Sequence, residues 1–286
     1  MIRWLAVSAI LMTSACAGGE RAAPLQDDGG RPIVVARPPE RIVSLSPATT
    51  ELLFALGAGD RLVGRTRFDE DPAAALAIPS VGDGLQPNVE VVLATRPDLV
   101  VFYEAVANTP AIERIEQTGT RVVGLRLDGL DDLVRATRLL GSILGARDRS
   151  DSLIDDLRVG LDAASQANRA VDSAALLAWT EPPIVIGRAS FLSEIAGYAG
   201  LDNVFDDVAR ASATVSIETL AARRPGFLIL GRGSAESVRQ RPQWHAIDAV
   251  REGRIVVVHG THFSHPSFRA PAAIRELRAL VEQVAR

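Results

Sequence analysis

One stretch of this chain is written twice. Asn88–Phe102 reads NVEVVLATRPDLVVF and Ser216–Leu230 reads SIETLAARRPGFLIL. Each copy carries a glutamate near its start, Glu90 or Glu218, runs one or two helical turns to an Arg-Pro pair, and then enters an apolar run of strand length. Proline fixes φ and biases the residue before it out of the helical region. Arg96-Pro97 and Arg224-Pro225 therefore predict helix ends that feed buried strands. The flanks repeat too. Upstream lie TELLFALG at Thr50–Gly57 and SEIAGYAG at Ser193–Gly200, both with the spacing of an amphipathic helix ended by glycine; downstream, Gly119–Val123 and Gly253–Val257 read as a turn and a β-branched strand. Three features recurring in one order predict two similar α/β lobes.

The start of the chain predicts export. Met1–Arg3 is a short basic region, Trp4–Met12 is an apolar run too short to span a bilayer, and small residues lead to Cys16, the only cysteine. Residues 1–15 read as a signal peptide, with Cys16 as the acylated first residue of a lipoprotein; Ala15-Cys16-Ala17 also fits an ordinary cleavage site. With one thiol there is no disulfide framework, thiolate metal site or redox pair. Residues 16–40, mixing Gly, Asp, Arg and Pro without periodicity, read as a flexible tether.

The chain has 286 residues, 47% of them hydrophobic, which suffices for one large or two small cores. Its formal charge is −4, with arginine and acidic residues alternating and no basic stripe, so nucleic acid is not the expected partner. No later segment is apolar for long enough to form a membrane span.

The expected first lobe covers residues 41–128. Arg41–Ser46 reads as a strand stopped by Pro47, Ala48–Thr50 as the cap of a helix over Glu51–Leu56, and Arg65–Pro72 as a polar loop holding Phe68. A strand over Leu99–Tyr103 ends where open α/β sheets present residues to ligands. Residues 129–168 read as helical, interrupted at Gly141 and Gly145 and continuing in a helix over Asp148–Gln166, a stiff strut between lobes that should move little. The second lobe covers 169–286, with a strand over Ala174–Trp179, a loop over Thr180–Gly187, a helix over Phe191–Ala199, another loop over Ala211–Val215, and a last helix over Ala272–Val284.

Arg41–Leu53 (RIVSLSPATTELL), Pro87–Glu90 (PNVE) and Arg96–Val101 (RPDLVV) together resemble the helical-backbone periplasmic-binding family, particularly the vitamin B12-binding proteins that feed ABC importers. The resemblance covers residues 41–286. It implies two Rossmann-like lobes on a backbone helix, a ligand cleft between them, and a monomer that hands its ligand to a permease dimer and its ATPase on the periplasmic side of the envelope. It also implies one exposed glutamate per lobe docking on permease arginines, and these map onto Glu90 and Glu218. Phe68 and Tyr103 would form the first lobe's ligand wall. On the other side Ile184 and Ser212 stand where B12 binders carry aromatics, and Arg269 matches the family's arginine at the head of the last helix.

The ligand implied is cobalamin or another corrinoid, with haem or a ferric siderophore as the alternative; no cofactor is implied. Three of the four histidines fall in HGTHFSHPSFR at His259–Arg269, a loop expected to face the cleft with Thr261, His262, Phe263 and His265 among its contacts. Imidazole at His262 or His265 can serve as an axial metal ligand, bond a ligand amide, or stay solvated. A remaining alternative is an envelope-anchored hydrolase or metal-dependent enzyme. The sequence carries no G-x-S-x-G elbow and no H-E-x-x-H, and a phosphate loop of G-x-x-x-x-G-K type is excluded because lysine is absent altogether.

Overall fold

The computed structural model describes residues 25–166, 172–231 and 233–285. The expected signal peptide, Cys16 and the start of the tether lie outside the described residues. One all-parallel sheet and one mixed sheet share a core with a pair of connecting helices.

The first lobe runs β1 (Ile42–Ser44), α1 (Pro47–Ala55), β2 (Leu62–Thr66), β3 (Ser80–Gly82), α2 (Val89–Ala94), β4 (Leu99–Tyr103), α3 (Thr109–Glu116) and β5 (Arg121–Leu125). The sheet order is β3-β2-β1-β4-β5, every pair parallel. β4, covered on both faces, reads as an unbroken apolar run, and Leu99–Phe102 is buried throughout. The strand ends at Ser44, before Pro47, and Pro47 does more than stop it. It begins α1, because the first helical position needs no N–H and favours proline's φ, and Ser46 caps the helix by accepting from the Thr49 amide. The expected cap at Ala48–Thr50 is thus replaced, and Glu51 lies inside the helix.

The connection is α4 (Leu130–Leu144) and α5 (Arg147–Gln166). Gly141 does not interrupt α4. A Cβ there would meet that of Ser150 at 2.6 Å, so the glycine lets the two helices close on each other. Only Gly145, left-handed at φ 71°, ends the helix.

The second lobe runs β6 (Asp172–Thr180), β7 (Pro183–Ile186), α6 (Phe191–Ala199), β8 (Leu201–Asn203), β9 (Ser212–Thr214), α7 (Ile217–Ala222), β10 (Phe227–Leu230), α8 (Ala235–Arg239), α9 (Asp248–Arg251), β11 (Ile255–Val257) and α10 (Ala270–Val284). Its sheet order is β11-β10-β6-β7-β9, with β8 also pairing β6. The segments expected as loops at Thr180–Gly187 and Ala211–Val215 instead carry β7 and β9, antiparallel additions to the sheet edge. Two-strand pairing across β7 satisfies backbone groups that a free loop would leave to water.

The repeat occupies matching places. β4 lies between β1 and β5, as β10 lies between β6 and β11. Glu90 and Glu218 are each the second residue of a short helix capped by Asn88 or Ser216. Arg96 and Arg224 both adopt positive φ, 50° and 49°, and the following prolines turn each chain into its strand. One apolar core joins Leu53 and Leu125 of the first lobe, Leu140 and Leu157 of the connecting helices, and Ile195 and Ile274 of the second lobe. Glu194 on α6 also accepts from the Leu130 amide at 2.8 Å, tying the second lobe to the start of α4.

The segment expected as tether is held down from Leu25 onward. Asp27 is buried, accepts from the Gly124 amide at 2.8 Å and pairs with Arg31, whose guanidinium also reaches Glu104 at 2.7 Å. Asp28 pairs with Arg135 on α4 at 2.7 Å. Charge complementarity with the lobe, which composition does not reveal, turns a polar stretch into a strap.

Candidate ligand cleft

Parallel strands point their C-terminal tips to one edge, the edge where open sheets bind ligands. Past β2 comes Phe68, 53% exposed, with the Arg67 guanidinium 4.8 Å from its ring centre. Its loop is pinned by buried Asp69, which accepts from Thr50 and from the Thr66 amide and hydroxyl. Burial pushes that carboxyl up despite these donors. At the tip of β4 the Tyr103 hydroxyl donates to Asp128 at 2.8 Å; burial, then this hydrogen bond and the Asp128 charge, raise its pKa to about 12.

The tip of β6 carries Trp179, 47% exposed, its indole N–H donating to the Glu181 carbonyl at 2.8 Å. Trp179 is paired across the hairpin with Ile184, which pairs with Thr214, while Ser212 pairs with Ile186. Directly paired residues share a face. Ile184 thus has an aromatic neighbour, and Trp179 lies beside the position where the resemblance expected one. It escaped sequence reading, although the strand-tip reasoning applied to Tyr103 would have found it.

The two edges meet beyond β11. Thr261 donates to Asp71, and Arg269 places one terminal nitrogen 3.0 Å from Asp71 and the other 3.1 Å from Glu51. His265 reaches Glu51 through Nε2 at 3.1 Å, and Ser267 donates to the same carboxylate. Burial of Glu51 opposes ionisation, yet the hydrogen bonds of His265 and Ser267 and the charge of Arg269 prevail and lower its pKa to about 2. Burial likewise opposes the Arg269 charge, and Glu51 and Asp71 outweigh it, raising the guanidinium's pKa. Neither acid stands out in the sequence, since Glu51 reads as an ordinary helical residue; folding alone brings them to Arg269.

Beside this network lies a cavity of about 240 Å³ lined by Leu127 and Asp128 at the end of the first lobe and by Ala178, Phe191, Phe263 and His265 of the second. The histidine loop does not converge as expected. His262 turns to Glu276 on α10 at 2.9 Å, His259 is exposed, and only His265 lines the cavity. Among the described residues no group of three metal-ligating side chains forms. Phe263, expected as a ligand contact, is 6% exposed and belongs mainly to the core, where apolar burial outweighs exposure to the cavity.

Glu90 and Glu218 are both exposed. A groove of about 450 Å³ borders Glu90, lined also by Asn88, Ala107, Pro110 and Arg114.

Residues 42–261 match the family described as periplasmic binding protein. The chain belongs to that family. The two-lobed α/β architecture expected of such a binding protein is the one found here. A vitamin B12-binding protein of Vibrio parahaemolyticus is 25% identical over 252 residues, covering 87% of this chain and 92% of that protein. An uncharacterized ABC transporter substrate-binding lipoprotein of Bacillus subtilis is 25% identical over 241 residues, 81% of this chain and 76% of that protein. Among solved structures, a periplasmic heme binding protein from Pseudomonas aeruginosa superposes with a TM-score of 0.75 at 27% identity, covering 85% of this chain and 93% of that one. The periplasmic vitamin B12 binding protein of Vibrio cholerae superposes with a TM-score of 0.73 at 21% identity, covering 87% and 99%, and shares the fold.

Proposed function

We propose that this binding protein captures a flat metallocycle, cobalamin or a related corrinoid, and delivers it to an ABC permease dimer. The observation that carries the reading is that Phe68, Tyr103 and Trp179 each stand at or just past the C-terminal end of a strand, two of them too exposed to be serving the core, while Asp128, the partner of Tyr103, and Ala178, the neighbour of Trp179, line the cavity. Flat aromatic walls with a few polar groups suit a macrocycle, and Asp128, Ser190, Ser264 and His265 supply polar groups on the cavity wall. The cavity is smaller than the roughly 300–1,000 Å³ of most small-molecule sites. A corrinoid therefore enters it with one edge and lies against the aromatic lips with the rest. Vitamin B12-binding relatives of similar length support the choice of ligand.

Glu90 and Glu218, one per lobe, form the docking points. Two carboxylates on separate lobes fix orientation as well as contact, and each pair gains weight once docking excludes water. Cys16 carries the lipid that holds the protein at the envelope, in keeping with the lipoprotein among its relatives.

Titrating the protein with cyanocobalamin, haemin and a ferric hydroxamate, followed by absorbance, tests the ligand. Cyanocobalamin is expected to bind with a Kd between about 1 nM and 10 μM. A Kd weaker than that range, with tight haemin or siderophore binding, would reassign the protein to the alternative ligand class.

A further inference from the structure

We infer that Glu51 and Asp71 set the charge preference of the cleft by occupying Arg269, so that the site favours a metallocycle rimmed with neutral amides over one rimmed with ionised carboxylates. The inference rests on the ligand reading above and adds to it the property that separates a corrinoid from haem.

All three guanidinium nitrogens of Arg269 are already spent. Nε lies 3.3 Å from Glu51, one terminal nitrogen bonds both Glu51 at 3.1 Å and the Thr261 hydroxyl at 2.7 Å, and the other faces Asp71 at 3.0 Å. A ligand carboxylate therefore finds no open fork for the bidentate grip that arginine gives anions. Displacing Glu51 would strand it, since the helix fixes its backbone and its side chain is 16% exposed, held also by His265 and Ser267. A buried carboxylate stripped of its partners is costly.

The local charge points the same way. Two carboxylates face one guanidinium, and Asp128 adds another on the cavity wall, where no arginine is found among the described lining residues. Carboxylates accept hydrogen bonds and cannot donate them when ionised. They welcome the N–H groups of amide arms and repel the carboxylates of a porphyrin.

The test is haemin affinity in a Glu51→Gln, Asp71→Asn double variant against the wild type, read by the Soret band at pH 7. Freeing Arg269 is expected to tighten haemin binding by about tenfold or more, and adding Arg269→Ala should remove most of the gain, leaving only what relief from carboxylate repulsion supplies. Unchanged haemin affinity in a double variant with native near-UV circular dichroism would overturn the inference. So would a gain that Arg269→Ala leaves undiminished. If the double variant does not fold, Asp71→Asn alone serves, because its carboxylate is more exposed; it should give a gain of the same sign, about threefold, and no gain counts against the inference. Failure of the wild type to bind cyanocobalamin would count against the ligand reading instead, since the haemin ratio between variant and wild type is measured without it.

Discussion

Glu51 on α1 and Arg269 at the head of α10 lie 3.1 Å apart, although the first belongs to one lobe and the second to the other. Their pairing makes stability depend on pH in a definite direction. A carboxyl whose pKa falls from 4.5 to about 2 on folding adds stability that is full above pH 4.5 and is lost as pH drops toward 2. Thermal melts from pH 6 to pH 2 should show that loss, and Glu51→Gln should flatten the acid limb while lowering stability at pH 7 by about 1–3 kcal/mol. An unchanged acid limb in the variant would show that the pair is not formed in solution.

Docking and capture should separate. Replacing Glu90 and Glu218 together by alanine is expected to abolish uptake and leave cyanocobalamin affinity within about twofold, because both side chains are exposed and neither lines the cleft cavity. Uptake assays in cells with the double variant as the sole binding protein decide this. Normal uptake would remove the docking role.

Trp179 offers a built-in reporter. Trp244 is fully buried, so ligand at the cleft should quench chiefly the exposed indole. Trp179→Ala should change stability by no more than about 0.5 kcal/mol and weaken cyanocobalamin binding about tenfold. Unaltered affinity would take Trp179 out of the ligand wall.

The Asp27–Arg31–Glu104 strap should be measurable as order near the N-terminus. Arg31→Ala leaves the Asp27 carboxylate buried without its charged partner and is expected to cost about 1–3 kcal/mol. Residues 25–35 should then become sensitive to protease, and the Gly124 amide, which donates to Asp27, should exchange faster. Equal protection in both proteins would contradict a folded strap.

Tyr103 should ionise late. With Tyr198 replaced by phenylalanine, the remaining tyrosine should titrate near pH 12 in the ultraviolet, because burial and then Asp128 disfavour the phenolate. Since the folded pKa is raised, this site loses stability as pH climbs from 10 toward 12. A midpoint near 10 would mean that the bond to Asp128 does not persist in solution.

The sequence alone determined the duplicated plan. Its helix-strand units are local objects: a cap, a short periodic run, an Arg-Pro break and an apolar strand are encoded within one window, so Glu90 and Glu218 could be found and paired from their neighbours in the chain. Tertiary structure decided the chemistry between the lobes. Glu51, Asp71 and Arg269 are far apart in sequence, and the same holds for Asp27 and Gly124. No local pattern reports such contacts, because a charge's partner and the burial that strengthens its pairing exist only after the sheets have packed. For the same reason Thr180–Gly187 and Ala211–Val215 read as loops: β7 owes its pairing to β6 and β9, and β9, at the sheet edge, owes its pairing to β7.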